Sequence, residues 1–199
     1  DENSPLKSIK DLMAAIKPDP SKVVFGAGGS VGSQDWMKAA LTARAGGLDP
    51  RSMRFVAFEG GGEAITALQG GHVQVYSGDA SEAEEQIKAG AKIRVLAVLA
   101  DKRLDGSLTN VPTMKELGFD VQWPIIRGFF MGPKVSDADF KVWSDTFTKM
   151  MATPEYDKLR AERGLFKFAL TGKELDAFIK DRMVAYRQLA GEFKLKVAN

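Results

Sequence analysis

Residues 25–36 read FGAGGSVGSQDW: four glycines and two serines, between an apolar run and a helix-like run. An apolar strand that empties into such a loop and then into a helix is the opening unit of an α/β fold. Three ligands suit a loop of this kind: a nucleotide phosphate, an acyl group on a catalytic serine, or a small anion.

The pattern on either side extends the unit. Upstream, SIKDLMAAIK places Ile9, Leu12, Met13 and Ile16 at helical spacing, and PDPS stops that helix. KVVFGA reads as a strand and DWMKAALTARAG as a helix closed by Gly46-Gly47. Next come a strand in RFVAF, the loop EGGG, a helix in EAITALQ, a strand in HVQVYSG, a helix in ASEAEEQIKAG and a fourth strand in KIRVLAVLA. Strand and helix alternate over residues 23–100, and the strands are short and apolar, as strands covered on both faces are. The expected fold is α/β, a parallel, doubly wound sheet. Ligands of such sheets sit beyond the carboxyl ends of the strands. The loops there, GAGGSVGS, EGGG and SGDAS, are all rich in small residues.

After Ala100 the rhythm changes. DKRLDGSLTNVPTMKELGFDV reads as loop, short helix and turn, and WPIIRGFFMGP as a strand-like crossover. Residues 136–163 read as helix broken at Pro154, FKFAL as a short strand, and GKELDAFIKDRMVAYRQLAGEF as a long helix. That helix aligns Leu175, Phe178, Ile179, Met183, Tyr186, Leu189 and Phe193 on one face. Such helices with so little sheet to cover them imply a lobe completed by sequence outside this chain or by a partner.

Composition narrows the function. The 199 residues are 44% hydrophobic and 27% charged, ordinary values for a globular chain. No apolar run approaches the ~20 residues of a membrane helix, so no membrane insertion is expected. The start, DENSPLKS, is polar and acidic and reads as no signal peptide, which leaves a cytosolic protein, a mature secreted one or a fragment. Net charge is +2 with scattered Lys and Arg, so no nucleic-acid partner is expected. The absence of cysteine excludes disulfides, thiolate metal sites and a cysteine nucleophile. With a single histidine, a His-based metal site would need carboxylate partners; no metal and no cofactor are expected.

The loop itself discriminates among its ligands. No Lys-Ser/Thr pair follows its glycines, as a P-loop needs. The dinucleotide fingerprint fails because Val31 stands where the third glycine belongs. Gly28-Gly29-Ser30-Val31-Gly32 does fit a nucleophile elbow. Its base would have to be His72, at the start of its strand while Ser30 follows its own. In a parallel sheet that is a separation of ~15 Å, against the ~3 Å of a nucleophile–base pair. A serine hydrolase using Ser30 is therefore the weakest reading, and no catalytic residue is expected. An anion needs only unpaired N–H groups at the positive end of a helix, with glycines to curl the backbone and Ser30 and Ser33 as added donors. Taken alone the loop reads as a tight turn with Ser33 as N-cap; three such loops on one sheet edge favour the anion. Asp79 reads as a helix cap, and Ser77 and Ser81 as residues within reach of a ligand. Trp36 and Phe58 read as core or pocket wall. Arg127, a lone cation in IIRGFF, pairs with a protein acid or meets the ligand.

From about Ser4 to about Phe193 the sequence resembles the substrate-binding receptors of tripartite tricarboxylate transporters, the Bug/TctC family. The resemblance lies in GGSVGSQDW, FVAFEGGGEAITALQGGHVQV, QIKAGAKIRVLAVLADKR, VPTMKELGFDV and RGFFMGP taken together and in this order. It implies a two-lobed, periplasmic-binding-protein-like fold: residues 5–122 would form the second lobe and residues 123–199 the returning part of an incomplete first lobe. It also implies a periplasmic receptor that passes a citrate-like di- or tricarboxylate to membrane permease subunits; docking on a sensor kinase is the alternative. Members of the family hold the ligand's carboxylate with backbone amides and small hydroxyls. The expected ligand-binding residues are Gly29, Ser30, Val31, Gly32, Ser33, Gln34, Asp35, Phe58, Gly60, Gly61, Ser77, Gly78, Asp79 and Arg127. Closure would hinge near Asn3–Lys7 and Val121–Gly128. Two departures stand out: Trp36 occupies a position where many relatives carry His, and the family's segment ahead of SPLKS, with its own carboxylate loop, has no counterpart here.

Overall fold

The structure is a computed structural model and describes residues 1–195. It divides into two compact units, Asp1–Pro124 and Ile125–Asn199.

In the first unit, α1 (Ile9–Ile16) starts where Ser8 accepts the Asp11 amide, and it buries Ile9, Leu12, Met13 and Ile16. The central strand β1 (Val24–Gly28) is followed by α2 (Gln34–Ala45), β2 (Arg54–Phe58), α3 (Gly61–Gln69), β3 (Val75–Tyr76) and α4 (Ala80–Lys88). The sheet order is β2-β1-β3, and both pairings are parallel, with Phe25 opposite Phe55 on one side and Val75 on the other. The chain steps from β1 to one neighbour and then crosses to the other, so the sheet reverses direction at β1. Open α/β sheets bind ligands in the crevice at such a reversal, here between the loops after β1 and β3. Phe25 and Ala27 are buried on β1, as are Ala64 and Ile65 on α3. Val24, Ala67, Leu68 and Val73 form a cluster against which Phe58, Tyr76 and Ile93 pack.

The fourth strand expected in KIRVLAVLA does not form. Of that segment only Val98 makes a bridge, parallel, to Thr113. Its start is instead tied to the N-terminal residues: the Glu2 amide donates to the Lys92 carbonyl at 3.0 Å. Arg94 donates to the carbonyls of Leu6 and Glu2. Apolar composition suits a strand, but a ladder also requires a neighbour in register, and among the described residues this segment finds none. HVQVYSG shortens to Val75–Tyr76 for the same reason, having β1 on one side only. DKRLDGSLTNVPTMKELGFDV, expected as loop, short helix and turn, has a short 3-10 helix at Gly106–Leu108 and turns after it, and WPIIRGFFMGP and FKFAL form no strand.

The second unit holds α5 (Asp137–Met151), α6 (Pro154–Glu162) and α7 (Gly172–Glu192). Ser136 caps α5 and Thr153 caps α6, with Pro154 at the first helical position. None of these helices buries a residue. Their apolar contacts are local: Phe129 stacks on Phe147 and Phe168 tilts against Phe178, each at 4.9 Å between ring centres. Phe129 and Phe130 are 77% and 79% exposed. Among the described residues no helix is long and apolar enough to cross a membrane.

Candidate functional site

The loop Gly29–Ser33 leaves β1 at its carboxyl end and enters α2. Gly29 and Gly32 hold φ of +75° and +92°, values that residues with a Cβ rarely adopt. The Gly29 amide donates to the Phe58 carbonyl at 2.8 Å, which pins the loop to the end of β2. Ser33 is the N-cap: its Oγ accepts the Trp36 amide at 3.3 Å and donates to the Gly28 carbonyl at 3.1 Å. Among the described residues, the amides of Ser30, Val31, Gly32, Gln34 and Asp35 have no hydrogen-bond partner. The loop from Gly29 to Gly32 is exposed. Unpaired donors at the positive end of a three-turn helix form a cradle for an anion.

The same structure redistributes the expected roles. The Ser33 and Ser77 hydroxyls are both committed inside the protein, since Ser77 Oγ donates to the Asp35 carbonyl at 2.8 Å. Ser30 is the exposed hydroxyl of the loop. Ser33→Ala is therefore expected to cost about 1 kcal/mol of stability, the worth of an N-cap, while changing ligand affinity only slightly; urea denaturation and calorimetry measure the two effects. Asp35 and Asp79 face a cation that sequence reasoning missed. Lys38 Nζ lies 2.6 Å from Asp35 Oδ1 and 2.8 Å from Asp79 Oδ1, with its side chain only 6% exposed. In the sequence the one signal for it was Asp35, three residues earlier on the same helix. Trp36 to Ala43 are all buried on α2, and a lysine inside an otherwise buried helix needs a carboxylate partner.

The loops after β2 and β3 meet around a second pair. Tyr76 Oη donates to Glu82 Oε2 at 2.7 Å. A Cβ on Gly61 would collide with the Glu82 carboxylate and lie 2.6 Å from Tyr76 Oη, and one on Gly78 would collide with the Tyr76 ring. Both positions thus leave room for the pair between the loops. Burial first, and then the Glu82 carboxylate, push the Tyr76 phenol far above its ordinary range, so it remains a neutral donor. Gly60 is the N-cap of α3, and Glu63 accepts the Glu59 amide at 3.2 Å.

The first unit therefore brings together Gly29, Ser30, Val31, Gly32, Ser33, Gln34, Asp35, Ser77, Gly78 and Asp79 around the crevice, with Gly60 and Gly61 adjoining. Phe58 ends β2 and also lines an open groove along α3 with Glu63, Thr66, Ala67, Gly70 and His72. Arg127 belongs to the second unit and is exposed, so the cost of burial that drew attention to it does not arise. Trp36 is core, 2% exposed. His72 lies three residues before the Val75–Phe25 rung and Ser30 five residues after it. At ~3.3 Å per residue they stand roughly 20 Å or more apart, so Ser30 has no histidine base.

Comparison with known proteins gives the family and the fold. A family model described as "Tripartite tricarboxylate transporter family receptor" matches residues 1–195. A UPF0065 protein of Cupriavidus necator is 26% identical over 177 residues, 88% of this chain and 52% of that protein. A TctC solute binding protein from Polaromonas superposes with a TM-score of 0.70 at 21% identity, over 96% of this chain and 64% of that one. An R. palustris protein solved with adipate gives 0.79 at 17% identity, over 96% of this chain and 62% of the other. The periplasmic binding protein BugD gives 0.74 at 19%, over 98% and 64%. At these identities the structural likeness carries the fold. The chain spans about half the length of the curated relative and under two thirds of each of these structures.

Proposed function

The chain belongs to the tripartite tricarboxylate transporter receptor family, and from that membership we propose that it is a periplasmic solute-binding protein that captures a small organic di- or tricarboxylate for membrane permease subunits. The observation that carries the proposal is the set of unpaired amides of Ser30, Val31, Gly32, Gln34 and Asp35 at the start of α2, where the sheet reverses. One carboxylate of the ligand would take these N–H groups, with Ser30 Oγ as a further donor. Binding of this kind uses charge-assisted hydrogen bonds and no salt bridge. The relative solved with adipate, a dicarboxylate, supports the ligand class. The distance between Ser30 and His72 argues for binding without turnover.

The test is a thermal-shift titration of this chain with adipate, succinate, citrate, inorganic phosphate and ATP. A ligand at a hundredfold its Kd adds ~2.7 kcal/mol of stability. The expected result is a saturable shift with a di- or tricarboxylate and none with ATP. A shift with ATP alone would overturn the carboxylate assignment, and no shift with any carboxylate would sink capture by this chain.

A further inference from the structure

An anion seated on the unpaired amides of Ser30, Val31, Gly32, Gln34 and Asp35 would share the first turn of α2 with the Asp35 carboxylate. Asp79 approaches the same place from the loop after β3, because both acids hold one ammonium, that of Lys38, at 2.6 and 2.8 Å. The Asp35 and Asp79 side chains are 20% and 15% exposed, so solvent screens them poorly. Glu82 adds a further negative charge at the mouth of the β3–α4 loop, where it accepts the Tyr76 hydroxyl. Two acids and one lysine sum to −1 − 1 + 1 = −1. Without the lysine the sum is −2, beside a site built to take an anion. Amide donors and an acid pair make opposite demands on the same ligand, and Lys38 reconciles them.

We propose that Lys38 is a specificity-determining residue of this site: its buried ammonium offsets the charge of Asp35 and Asp79 so that the adjacent amides accept an anion, and without it the same loop holds anions more weakly. Lys38 acts through the two carboxylates, and it also ties the loop after β3 to the first turn of α2, where Ser77 Oγ adds a second tie to the Asp35 carbonyl. The expected change in ligand affinity rests on the proposed capture of a carboxylate. The electrostatic effect of Lys38 concerns the loop alone.

The loop offers its own probe of local potential. Its amides are exposed and unpaired, and hydroxide-catalysed hydrogen exchange at such amides slows as the surroundings become more negative. Exchange at Ser30, Val31 and Gly32 would be measured by NMR in the unsubstituted chain, Lys38→Met, Lys38→Arg and the neutral triple variant Asp35→Asn/Lys38→Met/Asp79→Asn. A change of one kT in potential alters the rate about threefold. The expected results are rates about threefold slower in Lys38→Met, unchanged in Lys38→Arg and faster than the original in the triple variant. Adipate affinity, measured by calorimetry, is expected to fall about tenfold in Lys38→Met and to return in the triple variant. Equal exchange rates in all four proteins would overturn the proposal. If Lys38→Met does not fold, the triple variant decides alone, and a rate no faster than the original overturns it. If the exchange pattern appears but the unsubstituted chain does not bind adipate, adipate capture falls and the role of Lys38 stands.

Discussion

Gly32→Val should weaken carboxylate binding about a hundredfold while leaving the fold intact. Gly32 holds φ at +92° in an exposed loop. A β-branched residue there adds roughly 1–2 kcal/mol or more of backbone strain. An exposed loop relieves such strain by changing its own path. The new path changes the directions of the Val31 and Gly32 amides relative to those of Gln34 and Asp35. A hydrogen bond to a charged group contributes about 1.5–3 kcal/mol, so losing two of them removes at least a hundredfold in affinity. Gly90→Val is the matched control. Gly90 has φ +96°, a Cβ there would meet nothing within 4 Å, and the residue lies beyond the end of α4, away from the cradle. It carries the same strain without the donors. Calorimetric titration with the ligand found by thermal shift compares the two. Unchanged affinity in Gly32→Val, or equal losses in both variants, would remove the cradle from the site.

What the sequence disclosed and what it hid separate along a physical line. RFVAF forms a strand over Arg54–Phe58, as its pattern predicts. The helix boundaries at Ser33, Gly46 and Thr153 follow from capping residues whose effect is local. KIRVLAVLA carries the composition of a buried strand and forms no ladder, because pairing depends on a neighbour that composition does not specify. The site divides in the same way. The amide cradle was legible because glycine spacing and a helix start are enough to make one. Which hydroxyls remain for a ligand was not legible, because Ser33 and Ser77 give their protons to Gly28 and Asp35, contacts set by how the loops meet. Lys38 and Asp79 are 41 residues apart, and only the crossing of the chain to the far side of β1 makes them partners.

The second large effect is expected at Phe25. Phe25→Ala should cost about 3–5 kcal/mol, as removal of a large ring from a tight core does. Phe25 is 1% exposed and sits on the central strand, with Phe55 and Val75 as its register partners. Collapse cannot fill the gap, because β1 is fixed by ladders on both sides. Domains hold roughly 5–15 kcal/mol in total, so the variant should approach the limit of folding. Phe178→Ala makes the contrast. Its ring is half-buried on α7 and tilts against Phe168, and loss of such an aromatic pair costs about 0.5–1.5 kcal/mol beyond a small change in buried area. Tryptophan fluorescence separates the units during urea denaturation. Trp36 and Trp123, 2% and 7% exposed, report on the first unit, and Trp143 lies in the second. In a Trp143→Phe background the midpoint should drop sharply for Phe25→Ala and little for Phe178→Ala. An unchanged midpoint in Phe25→Ala would mean that burial around β1 does not hold the cradle in place.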